Sequence, residues 1–170
     1  MNLLARLFRS APDPREALRP LWHRVVEISR EPEWYAECGV ADSVAGRFDM
    51  ITAVLALVLL RLEGDGDCGP QSALLAELFV EDMDGQLRES GVGDIVVGKH
   101  IGKLMASLGG RIGAYRAALA GAAPLEEAVR RNVTLRDGSG PEALAERLRA
   151  LGAQLDATAA DALLGGRIAR

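Results

Sequence analysis

Apolar residues return every three or four positions along nearly the whole chain, and no run long enough to build a sheet alternates with period two. That spacing predicts amphipathic helices. Asp13-Pro14 opens the first firm one, a cap-capable carboxylate followed by a proline whose missing N–H is harmless in the first turn. Leu18, Leu21, Trp22, Val25 and Ile28 continue its face until Pro32 stops it, and Pro20 falls early enough to be tolerated or to shift the start. Trp34 and Tyr35 then sit on a short helical turn ended by Gly39, where they either lock a corner of the core or offer an aromatic surface.

Asp42 or Ser43 caps the next helix, which runs to about Leu62. Val44, Phe48, Ile51, Leu55, Val58 and Leu62 keep the period, and Val54, Leu57 and Leu59 widen the stripe nearly all round, as expected of a central helix. After a loop at residues 64–67, Pro70 starts a helix whose core face is Leu74, Leu75, Leu78, Phe79, Met83 and Leu87. Beyond the breaker Gly91-Val92-Gly93-Asp94 a long helix reaches Leu119, with Ile101, Leu104, Met105, Leu108, Ile112 and Tyr115 as its large face. A short helix from Pro124 to about Val133 and an Ala/Leu-rich one to about Leu155 follow, and Thr158 to Asp161 has the pattern of a capping box for a last turn. The expected fold is all-α, a single domain of six to eight helices over residues 13–170. Residues 1–12 read as a flexible or interfacial lead segment, in which Leu3, Leu4, Leu7 and Phe8 share one helical face and Arg6 and Arg9 take the other.

The long helix carries a second stripe. Gly98, Gly102, Ala106, Gly109 or Gly110, Gly113 and Ala117 recur at steps of three to four. Each interior glycine costs about 1 kcal/mol relative to alanine, so the stripe calls for another backbone packed close against it. Tight internal packing is the expected answer, and a close-fitting client helix is the other.

Composition narrows the class. At 170 residues the chain can bury its own core, and 4% aromatic residues in an Ala/Leu-rich background favour helices over sheets. A net charge of −4 without any Lys/Arg cluster gives no reason to recognise nucleic acid. The most apolar stretch, Met50–Leu60, has no charge but is far shorter than the roughly 20 residues of a membrane span. No secretory signal is evident at the N-terminus, and Cys38 and Cys68 lack metal or redox spacing, so a cytoplasmic protein with free thiols is expected.

Candidate chemistry concentrates in residues 81–100. Gly93 to Lys99 satisfies GxxxxGK, the body of a phosphate-cradling loop, yet His100 stands where a magnesium-binding hydroxyl is needed and no strand precedes it. Glu81, Asp82 and Asp84 form an acidic knot, but Asp82 and Asp84 point about 200° apart on a helix, and Asp84 with Arg88 suits a surface ion pair. Asp65 and Asp67 lack the remaining ligands of a calcium loop, and His23 and His100 have no metal-spaced partners. No haem-ligand motif is present. No cofactor, no metal and no catalytic set is therefore expected.

Two runs carry a resemblance: Gly39-Val40-Ala41-Asp42 with Gly46-Arg47-Phe48-Asp49-Met50, and Asp82-Met83-Asp84, Leu87-Arg88-Glu89, Gly91-Val92-Gly93-Asp94 and Val97-Gly98-Lys99. Gly110-Arg111, Ala114-Tyr115 and Arg131-Asn132-Val133 follow in the same order. Together, over roughly residues 18–133, they resemble the ubiquinol–cytochrome c chaperone family. The resemblance implies an all-α, non-enzymatic assembly factor of the cytochrome bc complex, which holds newly made cytochrome b. Mitochondrial relatives act with a small partner protein near the ribosome exit. The missing presequence suggests a bacterial-type member, peripheral to the inner membrane. Arg47, Asp49, Asp82, Asp84, Arg88, Gly91, Gly93, Asp94, Gly98 and Lys99 are the expected protein-binding positions. The chain departs from the family at Leu108-Gly109, where a bulky aromatic often precedes Gly-Arg. A general helical adaptor, docking a soluble partner through the acidic corner, is the alternative.

Overall fold

The computed structural model describes residues 13–89 and 94–168, with side chains at 13–86, 89 and 101–168. Asp13 caps the start as expected, its carboxylate accepting the Arg15 N–H at 2.9 Å. Pro20 cannot donate to Glu16, so the chain first makes a 3-10 turn (Pro14–Leu18), and helix α1 (Arg19–Ser29) begins with Pro20 in its first turn. Helix α2 (Pro32–Ala36) brings Trp34 and Tyr35 back to the end of α1. Trp34 Nε1 donates to the Ile28 carbonyl at 2.5 Å and the Tyr35 hydroxyl donates to the Ser29 carbonyl at 2.7 Å. Two carbonyls in the last turn of α1 thus accept from aromatic donors, and the pair does lock a corner.

Ser43 caps helix α3 (Val44–Gly64), accepting the Gly46 N–H at 3.1 Å. Every residue from 49 to 59 is buried, as a helix apolar on all sides requires. Helices α4 (Gly69–Glu89), α5 (Asp94–Leu119) and α7 (Glu142–Asp156) pack around it together with α1, while α6 (Leu125–Asn132) bridges α5 and α7. A last turn, α8 (Ala160–Leu164), closes on α1. Val40 and Leu135 form an isolated antiparallel bridge, the one sheet-like pairing among the described residues. Arg61 reaches from α3 to the carbonyls of Leu155 (3.0 Å) and Thr158 (2.9 Å), fastening the C-terminal region to the central helix.

Three local expectations fail, the first at Val44, which stands 89% exposed in the first turn of α3 and is not part of its apolar face. The capping box at Thr158 does not form, because its hydroxyl donates back to the Gln154 carbonyl at 2.8 Å and closes α7; Ala159 starts α8 with no side-chain cap. Met105 is not core: it is 38% exposed, whereas Leu108 and Tyr115 on the same helix are buried.

Gly46 is the tightest backbone approach in α3. A methyl there would lie 2.0 Å from the Ala41 carbonyl oxygen, which is backbone and cannot swing aside. Gly46→Ala is expected to lose about 1–3 kcal/mol in urea unfolding; an unchanged midpoint would show that residues 40–43 can slip.

Candidate functional site

The polar centre of the molecule is a buried knot. Asp49 on α3 and Arg111 on α5, 62 residues apart in sequence, are joined by an Arg111 Nη2–Asp49 Oδ1 bond of 2.5 Å. The other carboxylate oxygen accepts both the backbone N–H (2.9 Å) and the hydroxyl (2.7 Å) of Thr134, just beyond α6. The second Arg111 Nη donates to the Thr52 hydroxyl, and the guanidinium lies 5.5 Å over the Phe48 ring. Ala41 N–H donates to the Thr134 carbonyl at 2.9 Å and Arg136 N–H to the Gly39 carbonyl at 2.8 Å, so the loop before α3 is tied in as well. One helical turn after Arg111, Tyr115 is fully buried, and burial pushes its phenol well above the ordinary value.

The first motif run and the last ones therefore converge. Gly39 and Ala41, Phe48 and Asp49, Arg111, Tyr115 and Thr134, the residue after Val133, all meet in or around this knot. Arg111, Thr52 and Thr134 are missing from the expected site. Arg111 was legible as part of Gly-Arg, but no local signal links it to Asp49.

The remaining site residues are distributed differently. Arg47 is exposed in the first turn of α3, paired with Asp42 at 2.7 Å and placed 5.7 Å over the Tyr35 ring. Asp49 is interior. Asp82 and Asp84 open onto two different grooves on either side of α4. Asp82 lines a cleft of about 560 Å³ between α1 and α4, shared with Trp22, His23 and Glu89. Asp84 lines a groove of about 580 Å³ between α4 and α5. Glu81, at the rim of both, is bridged to Arg15 (2.9 Å) and Arg19 (3.4 Å). Gly91 and Gly93 lie outside the described residues, as do the side chains of Arg88, Asp94 and Lys99. Asp94, Gly98 and Lys99 belong to the backbone of α5.

The glycine stripe overturns the expectation of tight internal packing. A Cβ added at Gly102, Gly109, Gly110 or Gly113 would meet nothing within 4 Å, and Gly102, Ala106, Gly109, Gly110 and Gly113 are all exposed. Arg111, Leu108 and Tyr115 occupy the inward side, so the small residues are turned outward, with exposed Met105 beside them. Leu108, where the chain departs from the family pattern, is 2% exposed and packs inside.

Other chemistries find little support. Residues 94–99 continue as helix, so GxxxxGK does not shape a loop that could cradle phosphate. Among the described residues no group of three or more His, Cys, Asp or Glu could hold a metal ion. Cys38 and Cys68 are free and buried, and burial raises the Cys38 thiol, which opposes thiolate reactivity. No helix among the described residues is long and apolar enough to cross a membrane.

Residues 36–170 match the family model described as ubiquinol-cytochrome C chaperone. The chain is also similar to a solved structure, the crystal structure of the Cbp3 homolog from Brucella abortus. That match has 30% identity, covers 98% of this chain and 95% of that chain, and reaches a TM-score of 0.78. No curated protein matches the chain. The family match takes in residues 134–170, which the sequence motifs left unassigned.

The knot is testable by a double-mutant cycle. Asp49→Ala leaves a buried guanidinium without its anion and is expected to lose about 3–5 kcal/mol. Adding Arg111→Met to it should recover part of that loss; strictly additive losses would mean the pair is not coupled. Alkaline pH gives a second check. The folded pKa of Tyr115 is raised, so its contribution is present below the unfolded value of 10.0 and is lost as pH rises through the folded one. Its tyrosinate absorbance should appear together with loss of helix signal. Ionisation near the ordinary value with the helices intact would contradict the burial.

Proposed function

This chain belongs to the ubiquinol–cytochrome c chaperone family, and on that premise we propose that it holds newly made cytochrome b by an apolar helical segment while the cytochrome bc complex is assembled, with no chemistry of its own. The observation that carries this reading is the open glycine face of α5. Glycines inside a helix reduce its stability, and here no other part of the described chain packs against them. An apolar client helix can approach such a face to backbone distance, gaining dispersion contacts along its length and removing its own surface from water. Met105, one of three large apolar side chains exposed among the described residues, flanks the face and suits the same partner.

The motif positions extend this surface. Gly98 and Lys99 lie one turn before Gly102 on the same helix. We assign the motif positions Asp82, Asp84, Arg88, Gly91, Gly93 and Asp94 to partner docking, and Arg47 to a separate exposed contact. Asp49 serves the surface indirectly, through the orientation of α5.

In cells that contain a cytochrome bc complex, a photoreactive residue at Ala106 is expected to capture cytochrome b. Gly113→Leu, which adds bulk in open space, should keep or slightly raise stability, by up to about 1 kcal/mol, while lowering capture severalfold. If cytochrome b is never recovered and deletion of the protein leaves the bc complex intact, the reading is wrong.

A further inference from the structure

Of the large apolar side chains exposed among the described residues, Met105 and Leu119 stand on the same helix. With half-buried Ile112 midway between them they form one row at steps of seven, which drifts only about 40° around α5 over about 21 Å. The row follows one edge of the glycine face and ends in a groove of about 360 Å³ between the ends of α3, α5 and α7. Leu57, Leu60 and Leu119, which is 41% exposed, make the floor of that groove, and Gly152 completes it. Most charges at its rim are already matched. Arg61 donates to the carbonyls of Leu155 and Thr158 and is paired with Asp65, and Arg116 is paired with Glu63. Asp156, at the end of α7, is exposed and makes no ion pair among the described residues, so the rim is left with one uncompensated negative charge.

We propose that this groove takes a basic side chain, lysine or arginine, at one end of the apolar client helix, and thereby fixes which way round that helix lies on α5. The orientation rests on the client reading above and adds a direction to it. The groove has the chemistry of a long cationic side chain: an apolar floor for the methylene stem and a carboxylate at the rim for the charged head. An acidic end would be repelled by Asp156, and an uncharged one would leave that carboxylate unmatched. Apolar segments that enter a membrane carry the required residues at one end, because lysine and arginine flank them on the cytoplasmic side. Met105, Ile112 and Leu119 give such a helix a continuous apolar edge that leads into the groove. The basic end of the client lies at Leu119 and Asp156, and its apolar length runs back along the glycine face toward Met105.

The test uses the purified full chain and a synthetic Leu/Ala helix of about twenty residues with a pair of lysines at one end. A photoreactive residue is placed beside the lysines in one version of the peptide and at the opposite end in another, and the links are mapped by mass spectrometry. The first is expected to link to residues 57–63, 116–119 or 152–156, and the second to residues 101–109. Asp156→Asn should weaken binding severalfold and remove the end preference, while Asp156→Glu keeps both. Replacing the lysines by glutamine should weaken binding to the parent chain severalfold and leave binding to the Asp156→Asn chain unchanged. Since Asp156 is exposed and unpaired, both variants should keep the urea midpoint of the parent. Links in the reverse order, links along α5 without end preference, or parent-like binding by Asp156→Asn overturn the orientation and leave the client reading standing. Links confined to other surfaces, or none, overturn the orientation as well; capture of cytochrome b at Ala106 in cells decides the client reading separately.

Discussion

The buried pair of Asp49 and Arg111 is the constraint on which the rest of the architecture depends. Either charge alone inside an all-α core would be strongly unfavourable; together, with further hydrogen bonds from Thr134 and to Thr52, they hold each other in place. That geometry sets the register of α5 on α3. It also holds the exit of α6 and, through the bridge of Val40 with Leu135, the loop that leads into α3. Gly46 fits the same loop, because no side chain has room beside the Ala41 carbonyl.

The knot also decides which side of α5 meets solvent. At 100° per residue, a helix that turns Arg111, Leu108 and Tyr115 inward must turn Gly102, Ala106, Gly109 and Gly113 outward. A family motif that looks like part of a binding site thus acts inside the fold, and its consequence is the orientation of a surface.

Helix α4 performs a related division. Its two acidic motif positions, two residues apart, face a cleft toward α1 and a groove toward α5. Glu81 between them is drawn to Arg15 and Arg19, which pins the first turn of the described chain against α4. The acidic knot is therefore partly a structural clamp.

The sequence by itself determined the helices, most of their ends, the centrality of α3 and the family. These are local or periodic properties: a capping Ser43, a proline that cannot donate, an apolar stripe that runs all round. Tertiary structure alone decided three other things. It chose the side of α5 that is buried, because both of its faces are apolar or small and periodicity cannot rank them. It paired Asp49 with a partner 62 residues away, a distance over which no spacing rule operates. It left the box at Thr158 unmade, since the end of α7 offered that hydroxyl a nearer acceptor. Sequence shows which residues share a face; only packing shows which way that face is turned.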